Sequence, residues 1–409
     1  MMMLSRLPHE VRSGMCLLFL AGVLGGCSGV PGIAEHREGA ESRWWTLRGS
    51  MVLEQAEQHF DNGDLGQAEA ALNEAARIDP DNAEVLTLAG RIAIERGELE
   101  RAALTLRTAI EAVPEAAAPR YYLGIIEQRW QRPQAARERY SEAVERAPDN
   151  PEYVLALAES EVALGRDDKA AEILTERLDY FAQPAELHHA LAQVLLLKDR
   201  KREAIDHLRQ AVTLDPDRVE FRAELGIQLV AAGRSVEAID LLTPLLSDPI
   251  QQTRRDLRRA LARANRDAGR WSEARRLYRE LVRESEPSAD DLMHLAAVSW
   301  ELGDFGGAET AAGRAHDLSP RDPEAMIWLG LAARQRNDHQ RALGWFRSAT
   351  EVSPNHAKAW ALYGVGLEQV GRRDEAIGAY RRASQLDPTN ARFRALQTLR
   401  PEGRRSRPS

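Results

Sequence analysis

The strongest constraint on the fold of this chain is a spacing of 34 residues between small side chains. Alanine recurs at this interval, with one slip of two residues, at Ala68, Ala102, Ala136, Ala170, Ala204, Ala238, Ala274, Ala308, Ala342 and Ala376. Twelve residues before each of these lies a second small residue: Ala56, Gly90, Gly124, Ala158, Ala192, Gly226, Ala262, Ala296, Gly330 and Gly364. A period of this length indicates a stack of similar supersecondary units rather than several separate compact domains.

Each unit has the pattern of two helices. In one of them, Asp322 followed by Pro323 predicts a helix start, because aspartate caps the first backbone amides and proline fits the first helical turn. Pro354 ends the second helix of that unit, because proline cannot continue a helix. The small residues Gly330 and Ala342 would let the two antiparallel helices approach closely. With 29% charged and only 6% aromatic residues, the composition is typical of stacked amphipathic helices, and we predict an all-α fold.

These spacings resemble the tetratricopeptide repeat (TPR), and the resemblance covers residues 49–388. In that family the eighth and twentieth positions are small and the thirty-second is proline. The corresponding prolines here are Pro80, Pro114, Pro148, Pro216, Pro320, Pro354 and Pro388. The resemblance implies a right-handed superhelical solenoid of about ten helix-turn-helix repeats that bury their apolar faces against their neighbours.

Three units depart from this pattern, those that begin near residues 151, 219 and 255. Their proline position holds Ala182, Ile250 and Glu286, and a usually small position of the second helix holds Arg177, Leu245 and Leu281. The two-residue slip falls between the second and third of these units. We expect either a local change of superhelical pitch or a hinge there, or ordinary stacking with small repacking.

The N-terminus has the pattern of an export signal over residues 1–26. Arg6 and Arg12 precede an apolar run over residues 15–24, which is too short to span a bilayer and is followed by small residues. The segment Leu24-Gly25-Gly26-Cys27 resembles the lipobox of bacterial lipoproteins. That resemblance implies acylation of Cys27, palmitate among the acyl chains, and cleavage before it.

Ser28 follows the cysteine where an aspartate would favour retention in the inner membrane. By resemblance to lipoprotein sorting, this predicts a lipid anchor in the bacterial outer membrane, on the periplasmic face. Residues 27–48 are predicted to form the acylated cysteine and a flexible tether, since glycine and proline interrupt the segment. The pair Trp44-Trp45 is either an N-terminal cap on the first repeat or an aromatic foot that touches the bilayer or a partner. We expect a short capping helix and a disordered basic tail over residues 389–409.

No set of residues points to catalysis, and we predict that the chain is not an enzyme and binds no cofactor. Its net charge of −8 argues against nucleic acid as a partner, because a phosphate backbone requires a basic surface. His188 and His189 are the strongest metal candidates, but adjacent helical residues point in different directions, and we predict no metal site.

A partner-binding groove is predicted along the first helices of the repeats, which line the concave face in this family. Positions three to four residues apart point to one side of a helix. They hold Tyr121, Ile125 and Arg129; His189, Gln193 and Leu196; Arg259, Arg263 and Arg266; and Met293, Ala297 and Trp300. The arginine-rich helix that begins near residue 255 is either a solvated surface neutralised by Asp256 and Asp267 or a docking band for an acidic peptide or anionic polymer.

The family uses this fold to bind other proteins. The lysine and asparagine with which some members hold a chaperone's terminal carboxylate are absent, since Leu53, Glu57, Thr87 and Arg91 occupy those positions. We therefore predict a protein-binding scaffold that faces the periplasm and assists the assembly of an envelope machine for pili, secretion or exopolysaccharide export. The alternatives are an adaptor that recruits cell-wall hydrolases or proteases, and a protein that binds an anionic polysaccharide.

Overall fold

A computed structural model describes residues 31–178, 181, 184–283 and 287–397. The chain divides into two compact units, Met1–Arg146 and Ala147–Ser409, and each is described by itself. All regular elements of the described residues are helices, which confirms the predicted fold class.

The first unit contains three helix pairs. In each repeat we call the first helix A and the second helix B, so odd-numbered elements are A helices up to α19. The elements of this unit are α1 (Pro31–Asp61), α2 (Leu65–Ile78), α3 (Ala83–Glu95), α4 (Leu99–Ala112), α5 (Ala118–Arg129) and α6 (Pro133–Arg146).

In the described part of the second unit there are seven further pairs and a final short helix. Its elements are α7 (Pro151–Ala163), α8 (Asp167–Leu178), α9 (Ala185–Leu197), α10 (Lys201–Leu214), α11 (Val219–Ala231), α12 (Ser235–Ser247), the 3-10 turn η1 (Gln251–Thr253), α13 (Arg255–Asp267), α14 (Trp271–Arg283), α15 (Ala289–Glu301), α16 (Phe305–Leu318), α17 (Pro323–Gln335), α18 (His339–Val352), α19 (Ala357–Gln369), α20 (Arg373–Leu386) and α21 (Ala391–Gln397).

The helix starts follow the capping residues predicted from the sequence. The side chain of Asp322 accepts a hydrogen bond of 2.9 Å from the backbone amide of Glu324, and Pro323 opens α17. Asn150 caps α7 in the same way, with Pro151 at the first helical position. These local signals therefore fix where α7 and α17 begin.

The small residues of the repeat lie where the two helices of a pair cross. The ten alanines of the B helices are at most 2% exposed, and those of the A helices are equally buried. In two repeats glycine leaves room for a facing tyrosine of the B helix: a Cβ added to Gly124 would lie 2.4 Å from Cε1 of Tyr140, and one added to Gly364 would lie 2.4 Å from Cε1 of Tyr380. Each tyrosine stands sixteen residues after its glycine, so the contact joins the two helices of one repeat.

The two-residue slip lies in the connection between α12 and α13. Residues 248–254 form this connection and include η1, whereas residues 215–218 and 319–322 suffice between α10 and α11 and between α16 and α17. Ile250, in place of the usual proline, is 77% exposed, while Leu245 and Leu281 are buried. Leu245 and Leu281, which stand at usually small positions, therefore pack in the core, and the extra residues of the connection lie on the surface.

The predicted tether is wrong from residue 31 onward, because α1 begins at Pro31 and continues into the first repeat. Gly32 and Gly39 are outweighed by the helix-favouring alanine, glutamates and arginine between them. Each glycine costs only about 1 kcal/mol in a helix interior, and Pro31 occupies a position where proline is tolerated. At the other end, α21 lies within the range predicted for a capping helix. The predicted basic tail, the signal segment, Cys27, Ala182 and Glu286 lie outside the described residues.

Candidate partner-binding surface

The A helices of successive repeats contact one another within each unit. In the first unit α3 contacts α5, and in the second α7 contacts α9, α11 contacts α13, α15 contacts α17 and α17 contacts α19. No two B helices of the described residues contact each other to a comparable extent. The exposed side of the A helices, here called the A surface, is therefore the side on which neighbouring repeats lie closest.

The predicted groove residues of the first unit lie together on α5. Tyr121 and Ile125 are half-buried. The ring of Tyr121 lies 5.2 Å from that of Tyr122 and 5.7 Å from that of Tyr140, measured between ring centroids. Arg129 donates a hydrogen bond of 3.0 Å to the carbonyl oxygen of Ile94 in α3, so this arginine links two repeats.

In the second unit, the predicted residues of α9 pair with a residue that the sequence interpretation did not include. His189 Nε2 lies 2.6 Å from Oε2 of Glu224 on α11, and Gln193 donates to the same oxygen over 3.4 Å. Leu196 stays half-buried beside them. The A surface is thus polar and internally hydrogen-bonded at α9 and α11.

His188, the neighbour of His189, points toward α10 instead. Its Nδ1 lies 2.9 Å from Nδ1 of His207. Burial lowers the pKa of His188, and His207 lowers it further. Burial also lowers the pKa of His207. The two rings therefore share one hydrogen bond as neutral groups.

The arginines of α13 are paired, but not mainly with the predicted carboxylates. Arg259 makes two hydrogen bonds of 2.7 Å to Asp291 on α15, and Arg263 makes one of 2.9 Å to Asp290. Arg266 bonds to Asp267 of its own helix and to Nδ1 of His294 over 2.8 Å. An anionic ligand on this band would have to displace carboxylates that already hold the arginines.

Asp291 is the best-buried member of this network, with a side chain that is 0% exposed. Burial is the largest single influence and acts to raise its pKa, but the hydrogen bonds from Arg259 and Ser288, together with the positive charges of Arg259 and Arg255, outweigh it, so the pKa of Asp291 lies below its usual value. Asp290 lies beside it in the first turn of α15, where a negative charge complements the helix dipole. The structure gives both aspartates a second partner on the preceding A helix.

The last predicted groove residues border an aromatic cluster. The ring of Trp300 lies 4.7 Å from that of Phe305 and 5.7 Å from that of Trp328 on α17, with the rings edge to face. The Nζ atom of Lys358 on α19 lies 6.0 Å from the centroid of Trp328. Met293 and Ala297 lie half-buried on the same helix as Trp300. We call Trp300, Trp328 and Lys358 the aromatic step.

The functional candidates that the sequence interpretation missed share one signal. Glu224, Asp290, Asp291, Trp328 and Lys358 stand 27 to 35 residues after an A-surface residue that they contact. A search for complementary side chains at about one period would have found them. Sequence spacing within a single helix could not, because these contacts cross between repeats.

Among the described residues, no helix is long and apolar enough to cross a membrane. In that same part of the chain, no three histidine, cysteine, aspartate or glutamate side chains are grouped so that they could hold a metal ion.

The paired helices, their small crossing residues and the contacts between A helices define an α-helical repeat protein. Models of the tetratricopeptide repeat match residues 59–123, 131–194, 185–218 and 259–323. The chain is therefore built of tetratricopeptide repeats, as the sequence predicted. A model of subunit 3 of the anaphase-promoting complex, or cyclosome, matches residues 301–383.

A curated relative and several solved structures are similar to this chain. The DnaJ homolog subfamily C member 7 homolog of Schizosaccharomyces pombe is 25% identical over 199 residues, which are 43% of this chain and only 40% of the relative. The structure of yeast Tom70 is 15% identical over 86% of this chain and 88% of its own, with a TM-score of 0.39. YrrB, described as a TPR protein with an unusual peptide-binding site, is 18% identical over 56% of this chain and 100% of its own, with a TM-score of 0.33.

Proposed function

We propose that this protein is a non-enzymatic scaffold, anchored through acylated Cys27 in the bacterial outer membrane and facing the periplasm. It assists the assembly of an envelope machine for pili, secretion or exopolysaccharide export by binding a protein partner on the A surface. The absence of enzymatic activity stays a prediction.

The aromatic step is the observation that supports a protein partner. Trp300 and Trp328 lie side by side on successive A helices and both remain partly exposed. Tryptophan is enriched among the residues that carry most of the binding energy in protein interfaces. Lys358 and Glu324, joined by a contact of 2.8 Å, border the pair with charged groups. An apolar anchor with a charged rim suits a peptide or a protein segment.

The anchor is supported by the sequence Leu24-Gly25-Gly26-Cys27. Acyl chains contribute roughly 0.8 kcal/mol for each buried methylene, so two or three chains hold a protein on a bilayer almost permanently. Ser28 supports the outer membrane as the destination, by resemblance to lipoprotein sorting.

The test is a mild-detergent purification of the acylated protein from its own envelope, with Trp328→Ala and Cys27→Ala compared with the wild type. Leu318→Ala, which removes a 53% exposed side chain from helix α16, is the matched control. We expect a secretin, an exporter or a pilus component to co-purify with the wild type and the control. The same component should be depleted with both Trp328→Ala and Cys27→Ala.

Two outcomes would overturn parts of this proposal. Recovery of only hydrolases or proteases would favour the adaptor alternative. Fractionation of Cys27→Ala with the outer membrane, as for the wild type, would refute the lipid anchor.

A further inference from the structure

Four large apolar side chains are exposed within eight residues of α1. The exposed fractions are 54% for Trp44, 50% for Trp45, 63% for Leu47 and 65% for Met51. The other large apolar side chains exposed in the described chain occur singly along the sequence: Leu104, Val113, Leu197, Val236, Ile250, Leu318 and Val352. Scattered exposed residues are normal in soluble proteins, whereas a contiguous group indicates a contact surface.

The geometry of α1 directs three of these side chains, Trp44, Leu47 and Met51, away from the repeat core. Trp44, Leu47 and Met51 stand at intervals of three and four residues, so they share one side of the helix. Leu53 lies half a turn away from Trp44 and is only 6% exposed, because it packs in the core of the first helix pair. Trp44, Leu47 and Met51, which together with Trp45 we call the stripe, therefore take no part in packing the core of the first repeat.

The aromatic part of the stripe is held in a defined arrangement. The Trp44 and Trp45 rings meet edge to face with their centroids 4.8 Å apart. The Arg48 guanidinium lies 5.4 Å from the centroid of Trp44 and 5.7 Å from that of Trp45, and it forms an ion pair of 2.7 Å with Glu74 on α2. Both rings are thus tied to the first repeat, which limits the ordering that a contact would require.

We propose that Trp44, Trp45, Leu47 and Met51 form a foot that enters the interface of the bilayer in which Cys27 is anchored. This inference rests on the proposed acylation of Cys27. Tryptophan is enriched where a membrane meets water, because its ring is apolar and its N–H is polar. Leucine and methionine supply the apolar contact on the same side of the helix.

The length of chain before the foot supports this occupant. Cys27 stands four residues before α1, a reach of roughly 14 Å when extended, and the helix from Pro31 to Trp44 adds about 20 Å. The anchor therefore keeps the foot within about 35 Å of the bilayer, where an intramolecular contact has a high effective concentration. The acyl chains supply the affinity, and the foot fixes how the first repeat is oriented at the membrane.

A second copy of this chain is a poorer match. Stable protein interfaces involve roughly 20–30 residues on each side. The stripe occupies two turns of one helix, and the charged side chains Arg43 and Glu54 lie just beyond its ends. A lipid interface accepts such a short stripe, because it needs no complementary shape.

The experiment uses a thiol label on the acylated, full-length mature protein. Cys27 is acylated and Cys16 is removed with the signal, so Met51→Cys would carry the sole free thiol. Leu104→Cys is the matched control, because Leu104 is 66% exposed on α4 of the same unit. Each labelled protein is reconstituted into vesicles of phosphatidylethanolamine and phosphatidylglycerol that contain a brominated lipid as quencher. Mass spectrometry of the N-terminal peptide establishes acylation in the same samples.

We expect the brominated lipid to quench the label at residue 51 at least about twofold more than the label at residue 104, since only the foot reaches the interface. Adding Trp44→Ala and Trp45→Ala should reduce that difference. Leu47→Cys provides a second position in case Met51→Cys perturbs the helix content seen by circular dichroism.

Equal quenching at residues 51 and 104 in a protein that mass spectrometry shows to be acylated would refute the foot and leave the anchor intact. An unacylated Cys27 would refute the anchor and the foot together. If the label at residue 51 is shielded from the brominated lipid, and this shielding disappears when the protein is diluted in lipid, the occupant is a second copy of the chain instead.

Discussion

Arg259 of α13 holds the carboxylate of Asp291 on α15 with two hydrogen bonds of 2.7 Å, from Nε and from a terminal nitrogen. The carboxylate is fully buried, while the side chain of Arg259 is 32% exposed. The pair therefore links two repeats, and its arginine is partly exposed on the A surface. Because of this contact, the arginines of α13 are not a free basic patch.

Arg259→Ala is expected to lower the free energy of unfolding by about 3 kcal/mol, because it leaves a buried carboxylate without its main partner. Arg263→Ala is the control, since its partner Asp290 is 58% exposed, and it should cost less than about 1 kcal/mol. Urea denaturation followed by circular dichroism measures both. Similar losses in the two variants would contradict the assigned role of Asp291.

Gly364→Ala should destabilise the protein by about 1–3 kcal/mol, although alanine favours helices, because the new methyl group would collide with the Tyr380 ring. Gly378→Ala on α20 of the same repeat provides the comparison, since no atom lies within 4 Å of its added Cβ. That variant should gain up to about 1 kcal/mol from helix propensity alone. Thermal unfolding of the two variants should therefore shift in opposite directions.

Tyr278→Phe should raise stability by about 1 kcal/mol, because the buried Tyr278 hydroxyl has no protein partner. Its counterpart Tyr380 donates to Glu368 over 2.9 Å, twelve residues earlier. The residue at that position before Tyr278 is Arg266, which can only donate. Tyr380→Phe is thus the matched variant and should lower stability by about 1 kcal/mol. A loss of stability in both would show that Tyr278 has a partner after all.

The pair His188 and His207 should make the protein less stable in mild acid. Burial holds the pKa of both rings below the usual value of 6.5, so the unfolded chain binds protons more readily. The contribution of this pair to the free energy of unfolding is fully present above about pH 6.5, and it is lost as the pH falls toward the lowered pKa values. Glu203 and Asp206 oppose this shift at His207, and Arg200 adds to it.

The variant His188→Gln/His207→Gln removes both titrating groups of that pair. Its urea midpoint should change less than that of the wild type between about pH 7.5 and about pH 5.5. His294, whose pKa burial also lowers, remains as a further source of acid sensitivity in both proteins. An unchanged acid dependence in the double variant would exclude the pair as its cause.

The sequence by itself determined the helix-pair repeat, its number of units and the crossing residues. Those features depend on short-range rules, since Asp322 caps the amides two residues on, and Gly364 meets Tyr380 in the same repeat. Each rule recurs about every 34 residues, so ten weak signals add to a strong one. Where only one signal was present, as in the segment that begins at Pro31, the prediction of a tether failed.

Only the tertiary structure decided which side chains of neighbouring repeats meet. Arg259, Arg263 and Arg266 are visible in the sequence as a basic band, but their choice of Asp291, Asp290 and His294 depends on the rotation between successive A helices. The same rotation brings Trp300 to Trp328. A repeat period gives the spacing of positions along the chain, whereas a contact of a few ångströms depends on helix orientation and side-chain rotamers, which the period leaves undetermined.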